Sequence, residues 1–133
     1  MTEITKSIFR EYDIRGIYPI EINEEVIIHI AKAISIKCNN ENVSEICIGR
    51  DGRNSSQSLS DALEKSLSNF GVDVENIGLV TTPLLYFASK KSKSKSGVMI
   101  TGSHNPKNYN GLKLVINDKP ISGNEIYELI NPV

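Results

Sequence analysis

The sequence predicts an α/β fold, a three-layer α/β/α domain around a mixed, mainly parallel sheet, on three observations. Short apolar runs rich in β-branched residues alternate with longer stretches whose apolar residues recur at helical spacing, the pattern of a sheet covered on both faces. The alternation breaks in the last third, where Gly97–Thr101 and Leu112–Ile116 are extended runs separated by ten residues without helical pattern, so this pair is expected to be antiparallel. The length, 133 residues, is one domain's worth of chain and suffices for a single core.

Each element has its own warrant. Asn23 followed by Glu24 and Glu25 reads as a helix cap with acids in the first turn, and Ile27, Ile30, Ala31 and Ile34 trace one helical face. After the polar link "NNENVSE", Ile46-Cys47-Ile48 is too short for a helix and fits a buried strand. Leu59, Ala62, Leu63, Leu67 and Phe70 mark a second helix, ended by Gly71 at the position that takes a left-handed residue. A strand over Val72–Leu79 precedes "TTP", where Thr82 is the expected cap and Pro83 the first helical residue. The lysines of "SKKSKSKS" (89–96) are expected to be solvated at that helix's C-terminus, where they offset its dipole. Ser122 and Glu125 form a capping box for a last helix with Ile126, Leu129 and Ile130, and the chain ends soon after, at Val133.

Composition narrows the function. Lys and Arg number 15 against 16 Asp and Glu, a net charge of -1, which gives no long-range pull on nucleic acid, so an anion site has to be local. The longest uncharged run, Gly78–Ser89, is short and broken by Thr and Pro, so no membrane segment is expected. Cys38 and Cys47 lack Cys-x-x-Cys spacing and a nearby histidine pair, which predicts two reduced thiols and a cytoplasmic protein.

Three segments are too specific in residue type for ordinary turns. In "FREYDIRGI" (9–17) Arg15 beside Gly16 can present its planar fork to a phosphate, or the segment is an edge strand with surface ion pairs. In "IGRDGRNSS" (48–56) a Gly-rich turn between strand and helix suits anions and makes Arg50 a phosphate ligand, or Arg50 and Asp51 pair to brace the turn. In "TGSHNPKNYNGLK" (101–113) Ser103 follows a strand, next to Gly102 and just ahead of the turn-forming Asn105-Pro106, so its hydroxyl is expected to be exposed and rigidly held. A serine hydroxyl needs help from a base, cation or metal, and His104, Lys113 and Arg15 are the local candidates. The other histidine, His29, lies on the long helix, where a partly buried structural role is expected, and a hydrolytic triad is disfavoured.

In their order, these segments resemble those of the α-D-phosphohexomutases. "GVMITGSHNPKNYNGLK" is similar to the family's phosphoserine loop, "FREYDIRGI" and "GRDGR" to its two upstream segments, and the likeness runs from about Phe9 to about Ile116. Thr101-Gly102 favours the bacterial phosphomannomutase/phosphoglucomutase branch over the phosphoglucosamine branch, whose loop reads S-A-S-H-N-P. The resemblance implies that Ser103 bears a transferable phosphoryl group with His104 and Asn105 beside it. Arg15 and Lys113 would face the reacting phosphate, and Tyr12 would stand near the site entrance. It implies transfer between the 1- and 6-positions of a mannose or glucose phosphate through a bisphosphorylated sugar, with Mg²⁺ on the phosphoserine and a hexose 1,6-bisphosphate as activator.

Family members have four domains, and the D-G-D-G-D-R loop that supplies their metal carboxylates has no counterpart here. The expectation is an isolated first domain over 1–133, inactive without the missing C-terminal domains, with the loops 101–110, 10–17 and 49–54 on one side. The alternatives are a stand-alone phosphate-binding or protein-interaction module and a phosphoglucosamine mutase domain.

Overall fold

The computed structural model describes residues 4–130, so the chain end at Val133 lies outside it. A single 3-10 turn, Lys6–Ile8, leads into strand β1 (Ile14–Ile17), helix α1 (Glu24–Asn40), β2 (Glu45–Arg50), α2 (Ser56–Asn69) and β3 (Asp73–Leu79). Then come α3 (Thr82–Lys91), β4 (Gly97–Ile100), β5 (Tyr109–Ile116), β6 (Lys119–Ile121) and α4 (Gly123–Ile130).

Local chemistry accounts for most boundaries. The Asn23 side chain accepts the Val26 amide at 2.9 Å and opens α1. Cys38, four residues beyond Ile34 and fully buried, carries the apolar stripe on and lets α1 run to Asn40. α2 ends in a Schellman motif, in which the Val72 amide reaches the Leu67 carbonyl at 2.9 Å and the Gly71 amide reaches that of Ser68 at 3.1 Å, with Gly71 at φ +89°. The Ser122–Glu125 capping box forms in both directions, at 2.9 and 3.1 Å.

Four expectations are corrected. The cap of α3 is Thr81, which accepts the Leu84 amide at 3.3 Å, so Thr82 is already helical and Pro83 second. β5 starts at Tyr109 rather than Leu112, because Tyr109, Asn110 and Gly111 pair with β1 despite their polar composition. β6 was not expected, and it returns along β5 through Asn117 and Asp118, both left-handed at φ 54° and 64°. His29 is exposed on the solvent face of α1 rather than partly buried. The lysines of 89–96 are exposed, with Lys90 and Lys91 in the last turn of α3.

The strand order is β1-β5-β4-β2-β3, with β6 also paired to β5. β2 pairs in parallel with both β3 and β4, whereas β5 runs against β4, β1 and β6, so β5 alone opposes the common direction of the other described strands. The sheet is thus mixed and mainly parallel in direction. α1, α2 and α4 pack on one face around Ile30, Ile34, Ile46, Ile48, Leu63, Val98, Leu112 and Ile126, all fully buried. α3 covers part of the other face, with Leu85 against Cys47 and Met99.

That topology decides which loops meet. The loops after β2 and β4, the start of β5 and the end of β1 share one edge, since Ile17 pairs with Tyr109 and Arg50 with Ile100. The Arg10–Asp13 turn, closed by a 2.8 Å bond between the Arg10 amide and the Asp13 carbonyl, leads into Ile14, which pairs with Leu112 level with Ile100 at the end of β4.

Candidate functional site

The loop between β4 and β5 is bound at nearly every turn. Ser103 is half-buried and left-handed, at φ 55°, an unusual state for a side chain bearing a Cβ. Its amide donates to Thr101 Oγ1 at 2.9 Å, and its carbonyl accepts Arg53 Nη2 at 3.0 Å. The Asn105 amide reaches the Gly102 carbonyl at 3.0 Å. His104, next to Ser103, is exposed, and Asn105 is half-buried.

Arg53 and Asp51 hold this loop from the β2–α2 turn. The Arg53 guanidinium donates to three loop carbonyls and to that of Tyr109 at the start of β5: Nη2 to Ser103 at 3.0 Å and Asn105 at 2.8 Å, Nη1 to Pro106 at 2.6 Å and Tyr109 at 3.1 Å. Its Nε lies 3.4 Å from Asp51 Oδ2, which also accepts the Gly102 amide at 2.9 Å. Asp51 Oδ1 accepts the Arg53 amide at 3.1 Å and the Ser56 hydroxyl at 2.5 Å. Burial pushes the Asp51 carboxyl up, but hydrogen bonds from Ser56, the Arg53 and Gly102 amides and Thr101 outweigh it and leave the group below its ordinary value. Asn110, fully buried, donates to Ser55 and Ser56 Oγ at 2.7 and 2.9 Å and ties the start of β5 to the start of α2.

On the sheet face shared with α3, Arg15 is 1% exposed. Its Nη2 pairs with Asp13 Oδ2 at 2.9 Å, whereas Nε and Nη1 are buried without a partner. Burial lowers its pKa, Asp13 partly offsets this, and Arg10 and Arg53 add to the lowering. Arg15 sits opposite Gly111 in the ladder, and Lys113, two residues further along β5 and half-buried, falls on the same face by strand alternation. Arg15 and Lys113 therefore share one face of the sheet at diagonal positions, near the end of β4 from which the Ser103 loop leaves.

The other candidates are placed less centrally. Arg50, half-buried at the end of β2, directs Nη1 towards Gly78 on the β3 side, 3.8 Å from where a Cβ at 78 would stand. Tyr12 is 82% exposed in the turn before β1. Sequence reasoning missed Arg53, whose segment "GRDGR" offers two arginines three residues apart; the turn at Asp51-Gly52 turns the second into the loop. A cleft of about 460 Å³ lined by Asp51, Gly52, Arg53, Asn54 and Lys107 opens beside it.

One feature suits an anion here, the unpartnered Nε and Nη1 of Arg15. Buried donors without acceptors are costly unless a ligand completes them, and a phosphate offers several acceptor oxygens to a guanidinium fork. Among the described residues no group of three or more His, Cys, Asp or Glu is placed to hold a metal ion. None of the described helices is long and apolar enough to cross a membrane.

Comparison with known proteins shows which family the sequence and the fold match. The family model described as phosphoglucomutase/phosphomannomutase, alpha/beta/alpha domain I, matches residues 6–132. A phosphoglucomutase of Neisseria gonorrhoeae is 42% identical over 130 residues, which cover 98% of this chain and 28% of that protein. A phosphomannomutase/phosphoglucomutase of Pseudomonas putida is 42% identical over 124 residues, 93% of this chain and 27% of that protein. The crystal structure of a phosphoglucomutase/phosphomannomutase family protein from Burkholderia thailandensis superposes with a TM-score of 0.88 at 35% identity, covering 96% of this chain and 30% of that one. The chain thus spans a little over a quarter of the length of these relatives.

Proposed function

Because the chain belongs to the phosphoglucomutase/phosphomannomutase family, as its alpha/beta/alpha domain I, we propose that it is the domain on which the transferable phosphoryl group rides, at Ser103. The observation that carries this reading is the Arg15 guanidinium, buried on the sheet beside the Ser103 loop with Nε and Nη1 lacking an acceptor. A phosphoryl oxygen supplies that acceptor.

In the proposed reaction a free hydroxyl of a hexose monophosphate attacks the phosphorus on Ser103. The new sugar O–P bond forms, the bond from phosphorus to Ser103 Oγ breaks, and the hydroxyl proton ends on Oγ. The bisphosphorylated sugar then turns and gives its other phosphoryl group to Ser103 by the same exchange, which moves phosphate between the 1- and 6-positions of a glucose or mannose phosphate. Phosphoryl transfer is mostly positioning and stabilisation of spreading negative charge. Arg15 and Lys113 supply positive charge on one side, His104 and Asn105 flank the serine, and the left-handed turn fixes where Oγ points. A hexose 1,6-bisphosphate would recharge a dephosphorylated serine by the reverse of the first step.

Among the described residues no group of three or more His, Cys, Asp or Glu could hold the Mg²⁺ that the family resemblance implies. We assign the carboxylates for it, and the contacts that select the sugar, to further domains of the kind that make the relatives longer. The deciding experiment is peptide mass spectrometry of the full-length enzyme after incubation with a hexose 1,6-bisphosphate. One phosphoryl group is expected on the peptide that contains Ser103. Its appearance on another serine, with Ser103→Ala still active, would overturn the reading, and phosphate binding without labelling would favour a non-catalytic module.

A further inference from the structure

We infer that Arg53 is a positioning residue that fixes the left-handed conformation of Ser103, and that Gly102 is a glycine because Arg53 occupies the space beside it. The inference rests on the reading of Ser103 as the phosphoryl carrier for its functional meaning, but not for its geometry. Arg53 binds the Ser103 carbonyl, two other carbonyls of the same loop and that of Tyr109 at the start of β5, and it does so from another strand–helix turn, 50 to 56 residues away in sequence. A lone ion pair with Asp51 would leave the Nη atoms free for solvent. Here both Nη atoms are spent on the loop and the start of β5, two bonds each.

Gly102 supplies the second, independent observation. Its backbone has no positive φ, so a side chain there meets no conformational objection. A Cβ at 102 would nevertheless fall 2.0 Å from Arg53 Nε, 2.1 Å from Cζ and 2.5 Å from Nη1, and these are its three nearest atoms. The guanidinium therefore lies flat against the backbone of the residue that precedes Ser103, with Asp51 bridging the Gly102 amide and Arg53 Nε. Ser103 has its amide held by Thr101, its carbonyl held by Arg53 and its predecessor pressed against the same cation. A left-handed non-glycine residue is disfavoured by its Cβ and persists where its surroundings over-determine it.

The test is a double-mutant cycle read by thermal unfolding, with amide exchange of the loop as the second readout. Gly102→Ala is expected to lower Tm by about 5 °C or more in the native background and by under about 2 °C beside Arg53→Ala, because the obstacle has gone. Arg53→Ala is expected to speed exchange at the Ser103 amide at least tenfold while Ile48 and Val98 keep their protection. Arg53→Lys, which keeps the charge but not the planar fork, should fail to restore it. In the full-length enzyme, Arg53→Ala should slow labelling of Ser103 by a hexose 1,6-bisphosphate about 100-fold or more. Additive Tm shifts, or loop exchange and labelling unchanged in either Arg53 variant, would overturn the inference. Absence of labelling in the unmutated enzyme would refute the phosphoserine reading instead, and the cycle and the exchange rates would still decide whether Arg53 sets the loop.

Discussion

Arg15 stands across the β1–β5 ladder from Gly111, and its guanidinium lies over the space that a side chain at 111 would take. A Cβ there would fall 2.8 Å from Arg15 Nη1 and 1.9 Å from the Ile14 carbonyl oxygen. The absent side chain is what lets a long cation lie along the sheet with two of its donors unspent.

The first prediction follows from that cost. Arg15→Met keeps the side chain's apolar bulk and removes the buried charge, so stability to urea should stay level or rise by up to about 1 kcal/mol, while Ser103 labelling in the full-length enzyme falls at least about 100-fold. Asp13, left behind, is partly exposed and can be hydrated. A loss of stability above about 2 kcal/mol would show that the guanidinium is structural rather than reserved for a ligand.

Asp51 makes the fold sensitive to acid. Its carboxyl is depressed in the folded state, so its contribution is complete above the unfolded value near 3.8 and is lost as pH falls from there through the lower folded value. Asp51→Asn should cost about 1–3 kcal/mol at pH 7 and flatten the fall in stability below pH 4. Glu24 and Glu125, also depressed, leave a residual slope of the same sign. Urea midpoints of both chains at pH 3 and pH 7 check it; parallel curves would contradict it.

Gly71 isolates a backbone effect. It is left-handed and a Cβ there would meet nothing within 4 Å, so Gly71→Ala tests conformation without a clash. The expected cost is about 1 kcal/mol, smaller for Gly71→Asn, read as a modest fall in Tm with the urea slope unchanged. Equal stability of all three chains would count against the Schellman geometry.

The thiols should be silent. Burial pushes Cys38 and Cys47 up to about 11, which leaves roughly one in a thousand as thiolate at pH 8. Iodoacetamide should leave the folded chain unmodified and alkylate both residues in urea, as intact mass will show.

What could be read from the sequence was what neighbouring residues decide among themselves. Asn23, Gly71 and the Ser122–Glu125 pair act within five residues, and each does what its type and position imply. The serine loop was legible because its composition is unusual. Residues whose roles come from distant partners were not. Arg50 and Arg53 look alike in "GRDGR", and only the path of the chain after Asp51 sends one to the β3 side and the other into a loop fifty residues on. Tyr109–Gly111 read as loop because their strand character comes from pairing with β1. Thr81 and Thr82 are chemically equivalent caps, and the geometry of the strand end chose the first.

β4 and β5 are neighbours in sequence joined by one short loop, whereas Arg53 reaches that loop only once β2 lies beside β4, a pairing between residues 50 apart. Hairpins close early and long-range parallel pairings late, because the larger loop must be closed before its contacts form. The hairpin by itself can supply only the local bonds from Thr101 and Gly102, whereas the bonds from Arg53 need the long-range pairing. On the proposed reading of Ser103, competence for phosphoryl exchange would therefore depend on two long-range pairings, β2 with β4 for Arg53 and β1 with β5 for Arg15.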